Sequence, residues 1–358
     1  MTRPTSPLLL ALATAATLLL APGVRAAETI VGAGSSAAAP VYKAWASEYA
    51  RSEGATLQYD AVGSGMGMAR IEKREVDFGA SDVISAVADL KKNDLVMFPT
   101  VITGIVPVVN VAHLAPNALR LTGEVLARIY LGQVTQWDAP EIAALNPGLK
   151  LPSRPIRLVA RADGSGTTYH FSDYLSRVSP AWKEKVGVSS RVDWIPGTLA
   201  VKGSAEVAKA VKATADSIGY IDYNYASDDG LAAVSMKNTA GQFVTASVEG
   251  FREATMHSAW YTAGDFSTEL NALPGAKTWP ITMGTYVAVP RVSLVADRTE
   301  RTLRFLTWSY MHGDALARQA KFVPLPAKVQ ASAYREIAQV TSSSGELLGA
   351  KLMADLLN

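Results

Sequence analysis

The stretch Thr29-Ile-Val-Gly-Ala-Gly-Ser-Ser36 sets the architecture. A short β-type run breaks into glycine and serine. Val41, Trp45 and Tyr49 then recur at four-residue spacing, as on one face of a helix. The same order returns twice more. Leu57 to Val62 reads as a strand leading into Gly63-Ser-Gly-Met-Gly67 and a short helix. Val76-Asp-Phe-Gly-Ala80 reads as a third strand, ending at Ser81-Asp82 before a helix marked by Val83, Ile84, Val87 and Leu90. Strands alternating with helices predict an α/β protein. All three polar loops then fall at strand C-terminal ends, where open α/β sheets bind ligands.

Further out, two longer apolar runs, Val101 to Val111 and Trp279 to Pro290, read as crossings between two lobes. A helix marked by Leu303, Leu306 and Tyr310 then finishes the first lobe. The expected organisation is a leader over 1–26, a first lobe from 27–105 and 279–358, and a second lobe over 106–278. A two-segment hinge joins them.

Arg3, the apolar run Leu8 to Leu20 and the small-residue site Val24-Arg25-Ala26 give the leader the form of a secretory signal. Its run of about 13 residues is short of the roughly 20 that span a bilayer. Cleavage after Ala26 removes Arg3 and Arg25 and no acid, turning 34 Lys and Arg against 32 Asp and Glu into 32 against 32. A neutral balance argues against bulk nucleic-acid or anionic-membrane binding, so any anion must be held by local donors. There is no cysteine. That excludes disulfides, thiol catalysis, Cys–zinc sites and a lipid anchor on cysteine. An exported, unanchored chain fits a Gram-negative periplasm.

The chemistry concentrates in Arg161-Ala-Asp-Gly-Ser-Gly-Thr-Thr168. Arg161 offers a planar fork of donors suited to a tetrahedral oxyanion. Gly164 and Gly166 allow close backbone approach, and Ser165 and Thr167 add hydroxyls. The apolar and aromatic residues that follow suit a helix, whose N-terminus favours negative charge. Each glycine–serine loop alone also reads as an ordinary strand-to-helix turn with a capping hydroxyl. Together they present Ser36, the main chain at Ala37, Ser64 and Asp82 from one lobe, with Arg161, Ser165, Gly166 and Thr167 from the other. Asp163 reads as a supporting partner that orients Arg161, or as a turn former in Asp-Gly.

Asp82 discriminates between anions. A carboxylate beside an anion is repulsive unless a proton lies between them. Phosphate at neutral pH carries an O–H and sulfate does not. A buried unpaired polar group costs about 1–3 kcal/mol, more when charged, so discrimination by several powers of ten is within reach. Asp82 or Ser81 also reads as a helix N-cap, a role compatible with the first.

His113, His170, His257 and His312 are scattered without metal spacing. His170 follows Ser165 by five residues, but no Gly-x-Ser-x-Gly elbow surrounds that serine. Trp45, Trp137 and Trp308 read as core rather than as a sugar-binding wall, and Met68 as core filler. Lys91-Lys92 and Lys183-Glu-Lys185 read as solvated faces.

Over essentially the whole mature length the chain resembles the periplasmic phosphate-binding proteins of high-affinity phosphate ABC transporters. The likeness rests on Val76-Asp-Phe-Gly-Ala-Ser-Asp82, Ile129-Tyr-Leu-Gly132 with Trp137-Asp138, Leu145-Asn-Pro-Gly-Leu-Lys-Leu-Pro152, Arg161 to Thr167, Ile218-Gly-Tyr-Ile221 and Trp279-Pro-Ile-Thr282. It implies the two-lobed class II binding-protein fold, each lobe a sheet flanked by helices, closing over a dehydrated phosphate. It implies ligands at Ser36, Ala37 (main chain), Ser64, Asp82, Arg161, Ser165, Gly166 and Thr167. The partners are then phosphate and the permease subunits in the inner membrane, and the working form is a monomer that is no enzyme and needs no cofactor or metal. The sequence departs from the family pattern twice: Ala37-Ala38 stands where an aromatic often follows the first-loop hydroxyl, and Gly65-Met66 replaces a serine–glycine pair. The alternatives are another oxyanion, sulfate or molybdate, and a secreted phosphate-ester hydrolase.

Overall fold

The computed structural model describes residues 29–357, so the expected leader over 1–26 lies outside the described residues. The first unit forms as its pattern predicts. Strand β1 (Thr29–Gly34) runs into helix α1 (Ala39–Glu53), which buries Val41, Tyr42, Trp45 and Tyr49 on one face. Pro40 sits in its first turn and Gly54, at φ 72°, ends it in the left-handed conformation. Strand β2 (Thr56–Asp60) and helix α2 (Ser64–Glu72) form the second unit, and strand β3 (Phe78–Ser81) opens the third.

Here one expectation is corrected. The helix after Asp82 begins at Val87, not Val83, and its N-cap is Ala86. Ser81 turns the chain instead: its Oγ donates to Val83 O and accepts from Val83 N. The Asp82 carbonyl, which a helix would use, faces His170 across the cleft. Asp82 and Ser81 are therefore not helix caps.

Strand β4 (Leu95–Asn110) begins before the predicted crossing, because Leu95 to Phe98 are buried as well. The second lobe is built on β5 (Arg157–Arg161), helix α3 (Gly166–Val178), β6 (Leu199–Val201), helix α4 (Ser204–Ala213) and β7 (Ser217–Asp222). Strand β8 (Thr282–Pro290) returns. The strand order is β2-β1-β3-β8-β4-β7-β5-β6. Pairing is parallel among β2, β1 and β3 and among β7, β5 and β6; β8 and β4 run antiparallel to their neighbours. Along β4, Leu95 to Gly104 pair with β8 and Ile105 to Asn110 pair with β7. One strand therefore belongs to both lobes.

The tryptophans read as core are core: Trp45, Trp137 and Trp308 are buried, as are Trp182, Trp260 and Trp279. Beneath the Arg161 loop, Phe171 and Tyr220 stack with ring centres 4.1 Å apart. Their packing gives the second lobe a rigid floor.

Candidate functional site

The C-terminal ends of β1, β3, β5 and β7 face one another, and the predicted residues gather there. Asp82 is almost completely buried. Its Oδ1 accepts from Ser35 Oγ at 2.6 Å and Thr285 Oγ1 at 2.7 Å. Its Oδ2 accepts from Ser64 Oγ at 3.2 Å, and Ser64 Oγ in turn accepts from the Asp82 N–H at 3.1 Å. One oxygen is thus filled and the other keeps acceptor capacity for one more donor.

Arg161, at the end of β5, is buried and holds Asp163 in a fork: Nε donates to Oδ1 at 2.7 Å and Nη2 to Oδ2 at 2.6 Å. Burial opposes the guanidinium charge, but Asp163 more than offsets it and the pKa rises. Burial likewise pushes Asp163 up, and the Arg161 hydrogen bonds and charge, with the Gly203 N–H, bring it below its usual value. The pair is ionised. Arg161 is held in place by its main chain as well: its N–H donates to Tyr220 Oη at 3.3 Å and its carbonyl accepts from Trp194 Nε1 at 2.9 Å. The remaining Nη1 donates to Ser204 Oγ at 3.2 Å.

Ser165 is the N-cap of α3 and accepts from Thr168 N. Gly166 lies against Asp82, where a Cβ would sit 2.4 Å from the Asp82 Cβ, so only glycine fits. Thr167 Oγ1 donates to Asp222 Oδ1 at 3.0 Å. The Ser36 and Ser204 hydroxyls are 3.0 Å apart, and Ser36 Oγ accepts from the Ser204 N–H. Ala37 is buried in the turn that enters α1.

The two departures from the family pattern have structural counterparts. No aromatic follows Ser36, but Tyr59 and Tyr225 cover the loop, donating to the Ser35 and Ser36 carbonyls at 2.8 and 2.9 Å. Gly65 makes a cross-cleft main-chain bond, donating to Gly164 O at 3.1 Å, while Met66 points to solvent.

Several residues at the cleft went unread in the sequence. Ser35 stands beside Ser36 in the same loop. Ser204 follows Gly203 at the start of α4, as Ser64 follows Gly63 at the start of α2. The two glycines share one backbone form, φ 89° and ψ 154° against φ 79° and ψ 156°. That φ suits glycine, so strand, glycine, serine and helix was a fourth instance of the legible pattern. Asp222 ends β7 as Asp82 follows β3, and it is fully buried with Oδ2 unpartnered. Burial pushes its carboxyl up to about 6, with Asp82 adding to the rise. Thr285 lay hidden in an apolar strand.

His170 faces Asp82 O and Glu269 rather than Ser165, so no nucleophile–base pair forms. Among the described residues no group of three or more His, Asp or Glu is placed to hold a metal ion.

A two-lobed α/β binding protein is the class that the fold and cleft define. Residues 21–289 match the PBP superfamily domain. The chain is 41% identical to the phosphate-binding protein PstS of Haemophilus influenzae, covering 85% of this chain and 90% of that protein. It is 39% identical to the phosphate-binding protein PstS of Pasteurella multocida, covering 90% and 94%. It therefore belongs to the PstS family of phosphate-binding proteins. In fold it resembles a high-affinity periplasmic phosphate-binding protein solved with phosphate (TM-score 0.69, 21% identity, 86% of this chain and 93% of that one). A phosphate ABC transporter substrate-binding protein from Clostridium perfringens is also similar (TM-score 0.61, 18% identity, 83% and 100%).

Proposed function

We propose that this protein captures inorganic phosphate between its lobes and delivers it to an ABC transporter permease in the inner membrane. The observation that carries this reading is Asp82. A buried carboxylate with Oδ1 filled by Ser35 and Thr285, and Oδ2 able to take another donor, suits an oxyanion that brings its own proton. Kinship with phosphate-binding proteins over most of the chain supports it.

In this proposal Ser36, Ala37 N–H, Ser64 and Asp82 hold phosphate from the first lobe. Arg161, Ser165, Gly166 and Thr167 hold it from the second, with Asp163 steadying Arg161. The first lobe comprises residues 27–105 and 279–358, the second 106–278, and phosphate favours the form in which both touch it. The leader over 1–26 sends the protein to the periplasm, where it works as a monomer without a lipid anchor. Among the described residues no helix is long and apolar enough to cross a membrane.

Calorimetric titration of the phosphate-stripped protein with phosphate and sulfate in parallel tests the proposal. Micromolar or tighter phosphate binding without a sulfate signal is expected. Binding of both anions, or of neither, would require the site to be reassigned.

A further inference from the structure

His170 lies in α3, one turn beyond Gly166 and Thr167, with its ring buried. Its Nε2 is 2.6 Å from the main-chain oxygen of Asp82, on the opposite lobe. Its Nδ1 is 3.1 Å from Glu269 Oε2, an ion-pair contact off the line of a good hydrogen bond. Asn271 ties the two segments together, donating through Nδ2 to His170 O at 3.0 Å and to Asp173 Oδ2 at 2.9 Å.

A carbonyl oxygen cannot donate, and neither can a carboxylate. A neutral imidazole has one N–H and would leave its other nitrogen lone pair against an acceptor lone pair. Only the doubly protonated ring satisfies both neighbours, and Glu269 supplies the opposite charge that a buried cation requires.

We infer that His170 is a cationic positioning residue that reaches across the cleft and fixes the main chain at Asp82, so that lobe closure on phosphate takes up a proton on the protein. The inference rests on the phosphate-binding reading above.

The charged and titratable groups around the ring are consistent with it. Asp173, Tyr169 and Arg177 share its helix, Glu269 and Asp265 come from the segment packed on α3, and Asp82 and Tyr286 face it from the other lobe. Burial lowers the His170 pKa, but the contact and charge of Glu269, then Asp82, raise it above the ordinary value. Burial raises Glu269, and His170 brings it back below its ordinary value. When the lobes part, Nε2 exchanges the Asp82 carbonyl for water and the ring gives up part of that rise.

The test follows the imidazole by NMR across pH, with and without phosphate, and compares phosphate affinity in wild type, His170→Phe and His170→Gln. The expected result is a higher His170 pKa in the phosphate-bound form. His170→Phe should weaken binding about tenfold at acid pH and progressively less as the wild-type ring deprotonates. His170→Gln keeps an N–H donor without a titrating charge and should flatten the dependence on pH while retaining part of the affinity. Titration of phosphate itself is common to all three proteins and cancels in their ratios. An imidazole pKa unchanged or lowered by phosphate, or a variant-to-wild-type ratio constant with pH, would overturn the positioning role alone. Absence of any phosphate response in the wild type would overturn the ligand assignment and this inference with it.

Discussion

Gly166 and Asp82 meet across the cleft so closely that a β-carbon on the glycine would stand 2.4 Å from the Asp82 Cβ and 2.7 Å from its Oδ2. The helix start on one lobe and the acid on the other therefore fit only at one separation. Gly166→Ala should hold the lobes apart. Strain of about 1–3 kcal/mol from overpacking corresponds to roughly ten- to hundredfold weaker phosphate binding. Calorimetry reads the loss, and an unchanged far-UV spectrum shows that the fold survives.

Asp82→Asn replaces an acceptor-only carboxylate by an amide that can donate. Phosphate should bind more weakly and sulfate more tightly, so the ratio of the two affinities narrows. Parallel titrations measure it. An unchanged ratio would remove Asp82 from the selectivity argument.

Ser35 and Thr285 both donate to Asp82 Oδ1. Hydrogen bonds to a charged group contribute about 1.5–3 kcal/mol each. The double variant Ser35→Ala with Thr285→Val leaves Oδ1 without its two donors and frees the carboxylate to turn away from the ligand. Phosphate should bind at least about tenfold more weakly while sulfate stays unbound. Parallel titrations with the two anions decide.

Arg161 holds Asp163 through two parallel hydrogen bonds, and its removal strands that carboxylate. Breaking a buried pair by removing one partner costs about 3–5 kcal/mol. Arg161→Ala should abolish measurable phosphate binding, and Arg161→Lys should recover little, because a point charge cannot hold Asp163 through two parallel bonds. Near-native affinity in either variant would place the site elsewhere.

Asp222 gives a dependence of stability on pH. Its folded pKa of about 6 stands above the ordinary 3.8, chiefly through burial. The folded form therefore binds the proton more tightly. The stability this contributes is complete below about pH 4 and is lost as pH rises through 6, about 3 kcal/mol in all. Asp222→Asn removes the term while keeping an acceptor for Thr167. The thermal midpoint of the variant relative to wild type should rise between pH 4 and 7, followed by scanning calorimetry.

The legible parts of this chain were those where local chemistry and fold agree. Val41, Trp45 and Tyr49 mark the buried face of a helix that forms as written, and Arg161 with Asp163 stands two residues apart in sequence and in one ion pair in space. The helix expected at Val83 failed because its first carbonyl is used by His170, 88 residues away in sequence. No window of sequence contains that competition. Thr285 was unreadable for a related reason: a threonine in an apolar strand looks like any β-branched filler until Asp82 comes to meet it. Ser204 was readable, since it repeats the Gly63-Ser64 arrangement, but the strand before it is only three residues long and mostly exposed.

Strand β8 lies in the sheet between β3 and β4, yet it follows the whole second lobe in the chain. The order of assembly follows from this. The second lobe can complete its own sheet as soon as β7 is available, with β4 as its edge. The first lobe stays open along the seam between β3 and β4 until β8 arrives to close it. Non-local closure of this kind is slow, because the long intervening segment must be ordered first. A chain made from its amino end thus leaves the half that carries Ser36, Ser64 and Asp82 unfinished until late in its synthesis. Truncation between the end of the second lobe and β8 should leave that lobe folded, attached to a first lobe that cannot form.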